Sequence, residues 1–143
     1  VAARDAGLEI GGWCPPGGAA EDGRIPDEFP LRETPEDRSP AAPETPRSLR
    51  TEWNVRDADA TLILRPKAIG VDDPGTDWTR EAARLHGRPV LVCDPENEGA
   101  RGVIAEWLRA HEIETLNVAG PAESAAPGVG AKVYHLLAAA LVT

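Results

Sequence analysis

Three short, unbroken apolar runs constrain this chain more than any other feature. They are Ala60-Thr61-Leu62-Ile63-Leu64, Pro89-Val90-Leu91-Val92-Cys93 and Thr115-Leu116-Asn117-Val118-Ala119. Each is about five residues long, rich in β-branched members and without polar alternation, so each reads as a strand buried on both faces. Helical patterns separate them. Trp78, Ala82 and Leu85 recur at i, i+4, i+7, which predicts a helix over 77–86 ended by Gly87. Asp94 followed by Pro95 predicts a helix start, and Val103, Ile104, Trp107 and Leu108 give that helix its inner stripe. A short helix is expected over 48–56. Val133, Leu136, Leu137, Ala140 and Leu141 mark another helix. Strands alternating with helices over short connections predict an α/β domain: a parallel sheet with helices on both faces, three layers in all.

The first third of the chain is different. Residues 1–46 hold 8 of the 14 prolines and 6 of the 14 glycines. Proline fixes φ and removes a donor, so long regular elements are not expected there. Residues 1–6 read as the last turns of a helix closed by Gly7, and 8–13 as a short strand. Residues 34–47, with Pro35, Pro40, Pro43 and Pro46, read as a solvated, mobile loop. An α/β domain that opens on a half-helix lacks its first strand. The expectation is a single domain over 1–143 whose opening strand precedes Val1.

Composition narrows function. The 143 residues carry a net charge of −9, which repels phosphate backbones and anionic lipid and argues against nucleic-acid and membrane-surface partners. No run approaches the ~18 apolar residues of a membrane span. Cys14 and Cys93 occur without CxxC or His/Cys spacing, so they read as reduced thiols of a cytoplasmic protein. His86, His111 and His135 have no metal-ligand spacing, and no metal site is expected.

In an open parallel sheet, ligands bind outside the carboxyl ends of the strands. Gly75-Thr76 before a helix suits an anion cradle, although Thr76 as a simple cap reads equally well. Trp13, beside Gly11, Gly12 and Cys14, offers a stacking face for a flat heterocycle, or packs beneath the proline-rich loop. Trp53, Trp78 and Trp107 read as core. Asp57 and Asp59 fall at the amino end of the 60–64 strand. Arg50 and Asn54, one turn apart, read as capping and surface-pairing residues. The loop from Asn117 through Gly120 and Pro121 adds backbone donors.

Together, Gly11-Gly12-Trp13-Cys14-Pro15, Ala20-Glu21-Asp22-Gly23-Arg24-Ile25-Pro26, Arg50-Thr51 with Trp53-Asn54-Val55, and Asn117-Val118-Ala119-Gly120-Pro121 with Glu123-Ser124 resemble the molybdenum carrier family. That family belongs to a Rossmann-like group that includes the Lonely-Guy-type nucleotide-processing proteins. The resemblance implies a three-layer Rossmann-like fold and binding of a small phosphorylated heterocycle such as molybdenum cofactor (molybdopterin). It also implies molybdoenzymes as partners, and leaves homo-oligomerisation open. The site it implies is Gly11, Gly12, Trp13, Cys14, Gly75, Thr76, Asn117, Gly120 and Pro121, with no catalytic residue. Two alternatives stay open: a nucleotide-processing hydrolase using Glu21 or Glu123 as acid/base, and a non-catalytic scaffold with a vestigial site. The family's opening strand and glycine-rich loop have no counterpart here. Asp72 and Asp73 would weaken an anion site at Gly75.

Overall fold

The computed structural model describes residues 11–20, 23–24, 31–65 and 74–120. The expectations for 1–10, Glu21, Asp72, Asp73, Pro121, Glu123 and the helix over 133–141 lie outside these residues. In chain order the elements are β1 (Trp13–Cys14), a 3₁₀ turn (Pro16–Gly18), β2 (Ala19–Ala20), β3 (Gly23–Arg24) and β4 (Arg32–Glu33). There follow α1 (Ser48–Asp57), β5 (Ala60–Leu64), α2 (Pro74–His86), β6 (Val90–Cys93), α3 (Ala100–Ala110) and β7 (Leu116–Ala119).

The three apolar runs form one parallel sheet in the order β6-β5-β7. Leu62 is level with Leu91 on one side and with Val118 on the other. Strand periodicity divides the sheet into two faces. Leu62 and Leu64 pack with Ile104 of α3, supported by Leu91, Trp107, Leu108 and Leu116. On the other face, Val90 packs against Val55 of α1 and Trp78, Ala82 and Ala83 of α2. The chain steps from β5 to β6 through α2, then back past β5 to β7 through α3. A right-handed crossover reverses its face when it reverses its direction, so α2 and α3 lie on opposite faces of the sheet. This is the expected three-layer α/β arrangement.

The strands were expected to be equally buried, and they are not. All five residues of β5 are buried, whereas Val92 of β6 is 37% exposed and Val118 of β7 is 40% exposed. Among the described residues only β5 is paired on both edges, so only β5 is enclosed on every side.

Two helix starts also differ from expectation. α2 begins at Pro74, with proline at the first helical position, where its missing N–H costs nothing. Thr76 therefore lies buried inside the first turn rather than capping it. Asp94-Pro95 does not open α3. Asp94 Oδ1 accepts the Glu96 N–H at 2.9 Å, and Asn97 Oδ1 accepts the Gly99 N–H at 3.3 Å. These side chains hold the backbone in turns that compete with a helix, and α3 starts only at Ala100.

The proline-rich stretch lacks regular elements, as expected, but it is anchored. Ser39 and Thr34 are buried. The Ser39 N–H donates to Ser48 Oγ at 2.8 Å, and Ser48 Oγ–H donates to the Ala42 carbonyl at 3.0 Å. Asp37 accepts the Arg47 N–H on its side chain and the Leu49 N–H on its carbonyl, which satisfies free donors at the start of α1. Proline prevents helix and strand here without preventing order.

Candidate functional site

The two oppositely directed crossovers create a crevice at the carboxyl end of β5, where neighbouring loops leave toward opposite faces. Its floor is the ends of three strands. The Arg65 N–H bonds the Cys93 carbonyl at 2.9 Å, tying the exits of β5 and β6 together. Gly120 follows β7, and a Cβ built on it would stand 3.1 Å from the Leu64 carbonyl oxygen. Only glycine lets the β7 exit approach β5 this closely without displacement. The first turn of α2 adds the backbone of Gly75 and Thr76 at the amino end of that helix. The helix dipole there favours an anion.

Cys93 closes the β6 end of this crevice. Burial, and secondly the charge of Asp94, push its thiol above the ordinary range. A raised pKa disfavours the thiolate, which is the nucleophilic form. Asn117 lies within β7, and its Nδ2 donates to Thr61 Oγ1 at 3.3 Å, so its side chain is spent on the sheet.

The glycine-tryptophan segment sits elsewhere. Asn54 of α1 accepts the Trp13 N–H at 2.7 Å and donates to the Trp13 carbonyl at 3.1 Å. One side chain thus does for β1 what a neighbouring strand would do. Gly12, at φ 131°, makes room, because a Cβ there would lie 2.8 Å from Asn54 Oδ1. The Trp13 indole N–H donates to Asp57 Oδ2 at 2.8 Å. The Trp13 ring meets Trp53 edge-on at 4.7 Å, and the Arg32 guanidinium lies 4.3 Å from its centroid. The face expected to receive a heterocycle carries Arg32 in this structure. Asp57 ends α1 and precedes β5, so Trp13 is tied to the amino-end side of the sheet. Gly75, Thr76 and Gly120 gather at the carboxyl side. Gly11 is exposed ahead of β1, and Cys14 is buried beside it.

Asp57 and Asp59 stand, as expected, at the amino end of β5. The hydrogen bond from Arg56, with a further one from Trp13, holds the Asp57 carboxyl below its usual range. Asp59 Oδ2 accepts the Thr115 N–H at 2.9 Å and the Glu114 N–H at 3.1 Å, and these bonds lower its pKa too. It pins the entrance of β7 to that of β5.

Sequence reasoning underrated Arg50 and Asn54. The i, i+4 spacing was visible, but the backbone that Asn54 bonds lies 41 residues away along the chain. The Arg50 Nε is buried and has no hydrogen-bond partner among the described residues. Burial first, and then the charge of Arg47, pull its pKa below the ordinary value. His86 Nε2 lies 3.2 Å from Glu52 Oε2, and His111 stands edge-on to Trp107. Among the described residues no group of three or more His, Cys, Asp or Glu could hold a metal ion. No described helix is long and apolar enough to cross a membrane.

Comparison with known proteins agrees with this architecture. The chain matches the circularly permutated YpsA SLOG family over residues 1–141. It is similar to a crystal structure of "Putative molybdenum carrier protein" from Syntrophus aciditrophicus SB, at 32% identity and a TM-score of 0.78. The match covers 99% of this chain and 82% of that one. No curated protein matches the chain. With nearly its whole length matched by the family and its fold shared with a solved relative, the chain belongs to the circularly permutated YpsA SLOG family.

Proposed function

We propose that this protein is a carrier-type binding module for a small phosphorylated heterocycle of the molybdenum-cofactor kind, held in the crevice at the carboxyl ends of β5, β6 and β7. The observation that carries this reading is the crevice itself. A reversal of crossover direction opens it, the close approach at Gly120 narrows its floor, and the amino end of α2 follows β5 on that side, where a helix dipole favours an anion. The solved relative's description as a molybdenum carrier supports the choice of ligand class.

The residues present fit the phosphate end of such a ligand. Gly75, Thr76 and Gly120 would supply backbone donors. They do not offer a side-chain cage for a bare metal, because the described residues contain no such cluster. Molybdenum would therefore arrive already held by its organic ligand. The chain's own contribution is to orient the phosphate and to close the floor of the crevice. Binding without turnover is the chemistry these groups support. Asn117 of β7 stays beside this groove, whereas Gly11, Gly12, Trp13 and Cys14 belong to a segment tied to the other end of the sheet and are left out of the proposed ligand contacts.

Equilibrium titration of the purified chain with molybdenum cofactor and with common nucleotides, followed by a turnover assay on whichever binds, tests the reading. Saturable binding without product supports the carrier. Product release from a nucleotide would establish the hydrolase instead, and failure to bind any of these would leave the scaffold.

A further inference from the structure

Arg50 stands in the first turn of α1, one turn before Asn54, which bonds the backbone of β1. Its Nε is withdrawn from solvent and donates no hydrogen bond among the described residues. That is an unusual way to leave a guanidinium, which carries five donors and no acceptor. A buried donor without an acceptor costs free energy that an incoming acceptor would recover. The charged and polar groups that act on Arg50 are Arg47, Asp37 and the thiol of Cys14. Asp37 is the carboxylate among them, and it is already engaged. Its Oδ2 accepts the Arg47 N–H at 3.2 Å and lies 3.8 Å from Arg38 Nε. Asp37 thus answers a backbone amide and the Arg38 guanidinium, and no hydrogen bond joins it to Arg50 among the described residues.

We propose that Arg50 is the cation of an oxyanion subsite between α1 and β1, bounded by Cys14, Asp37 and Arg47, which takes a tetrahedral dianion of the phosphate type. The planar fork of arginine matches two oxygens of such a group, and the shared chemistry covers both a phosphate monoester and a free oxyanion. This subsite is distinct from the first-turn amides of α2. It rests on the orphaned guanidinium Nε and not on the proposed ligand of the strand-end crevice.

Thermal unfolding and isothermal titration at low ionic strength, with inorganic phosphate and with ribose 5-phosphate as probes, test it. The variants are R50M and, as a control of equal charge change, R101M on the exposed side of α3. The wild type should bind at least one probe saturably and gain thermal stability from it. R50M should bind at least tenfold more weakly and lose that gain, while its ligand-free melting temperature stays equal or rises. R101M should behave as wild type. Tighter binding of ribose 5-phosphate assigns the subsite to an ester, and exclusion of the ester assigns it to the free oxyanion. Should R50M not fold, as judged by far-UV circular dichroism, R50Q carries the same comparison. Absence of saturable binding by the wild type, or undiminished binding by the Arg50 variant, overturns the proposal. A wild type that binds the phosphorylated heterocycle but neither probe would overturn it while leaving the carrier reading intact.

Discussion

Asn54 offers a sharp test of how the amino-terminal segment is held. Asn54→Ala removes two hydrogen bonds at once, those to the Trp13 N–H and to the Trp13 carbonyl. Both are partly buried, and each is worth about 1 kcal/mol net, so the loss should be about 2 kcal/mol. For a chain of this size that corresponds to a drop of roughly 6–8 °C in melting temperature. Gly12→Ala attacks the same contact from the other side. Its φ of 131° suits glycine, and the new Cβ would stand 2.8 Å from Asn54 Oδ1. The side chain of Asn54 must then leave its bonds. G12A should therefore cost at least as much as N54A, with backbone strain of about 1 kcal/mol added. In the double variant the bonds are already gone and only the strain remains. Urea unfolding followed by tryptophan fluorescence should show the two changes falling short of additivity by about 1–2 kcal/mol. Additivity within about 0.5 kcal/mol, or an N54A cost below that figure, would refute the claim that Asn54 replaces a neighbouring strand for β1.

Three further outcomes follow from individual contacts. Trp78→Phe keeps most of the ring but loses the bond from Trp78 Nε1 to the Ser48 carbonyl at 2.9 Å, and should cost about 1–2 kcal/mol in the same unfolding assay. Asp59 has a depressed pKa, so the stability it contributes is present above the ordinary carboxylate range and is lost as pH falls through its lower folded value. Below about pH 4, D59N should accordingly lose less further stability than wild type does, and parallel acid limbs for the two proteins would contradict this. Cys93, raised by burial and by Asp94, should react with iodoacetamide more slowly at pH 8 than free cysteine does; a rate equal to the free thiol would show that the raised pKa is wrong.

The residues alone determined the frame of this protein. Strand β5 falls where the run Ala60 to Leu64 was read, because five apolar residues flanked by turn and helix signals have few other ways to be buried. The end of α2 at His86 was legible in the same way, since Gly87 adopts φ 65°, a conformation other residues avoid. The resemblance carried by the glycine-tryptophan and Asn-Val-Ala-Gly segments pointed to the family to which the chain belongs. What the sequence did not reveal is what depends on distant neighbours. Local preference made Thr76 a cap, but Pro74 could start the helix two residues earlier. Asp94-Pro95 carried a helix-start signal, but side-chain bonds from Asp94 and Asn97 favoured turns. The proline-rich stretch looked solvated, because no local rule announces that Ser39 will meet Ser48. Val92 and Val118 resemble the residues of β5 in composition, and only the sheet order leaves them half exposed. Arg50 and Asn54 show the division most plainly. Their shared helix face follows from 3.6 residues per turn, a property of the chain itself. That one of them binds a backbone 41 residues away while the Nε of the other finds no acceptor among the described residues was decided by tertiary packing, because burial and hydrogen-bond satisfaction are set by what the fold brings near and not by sequence spacing.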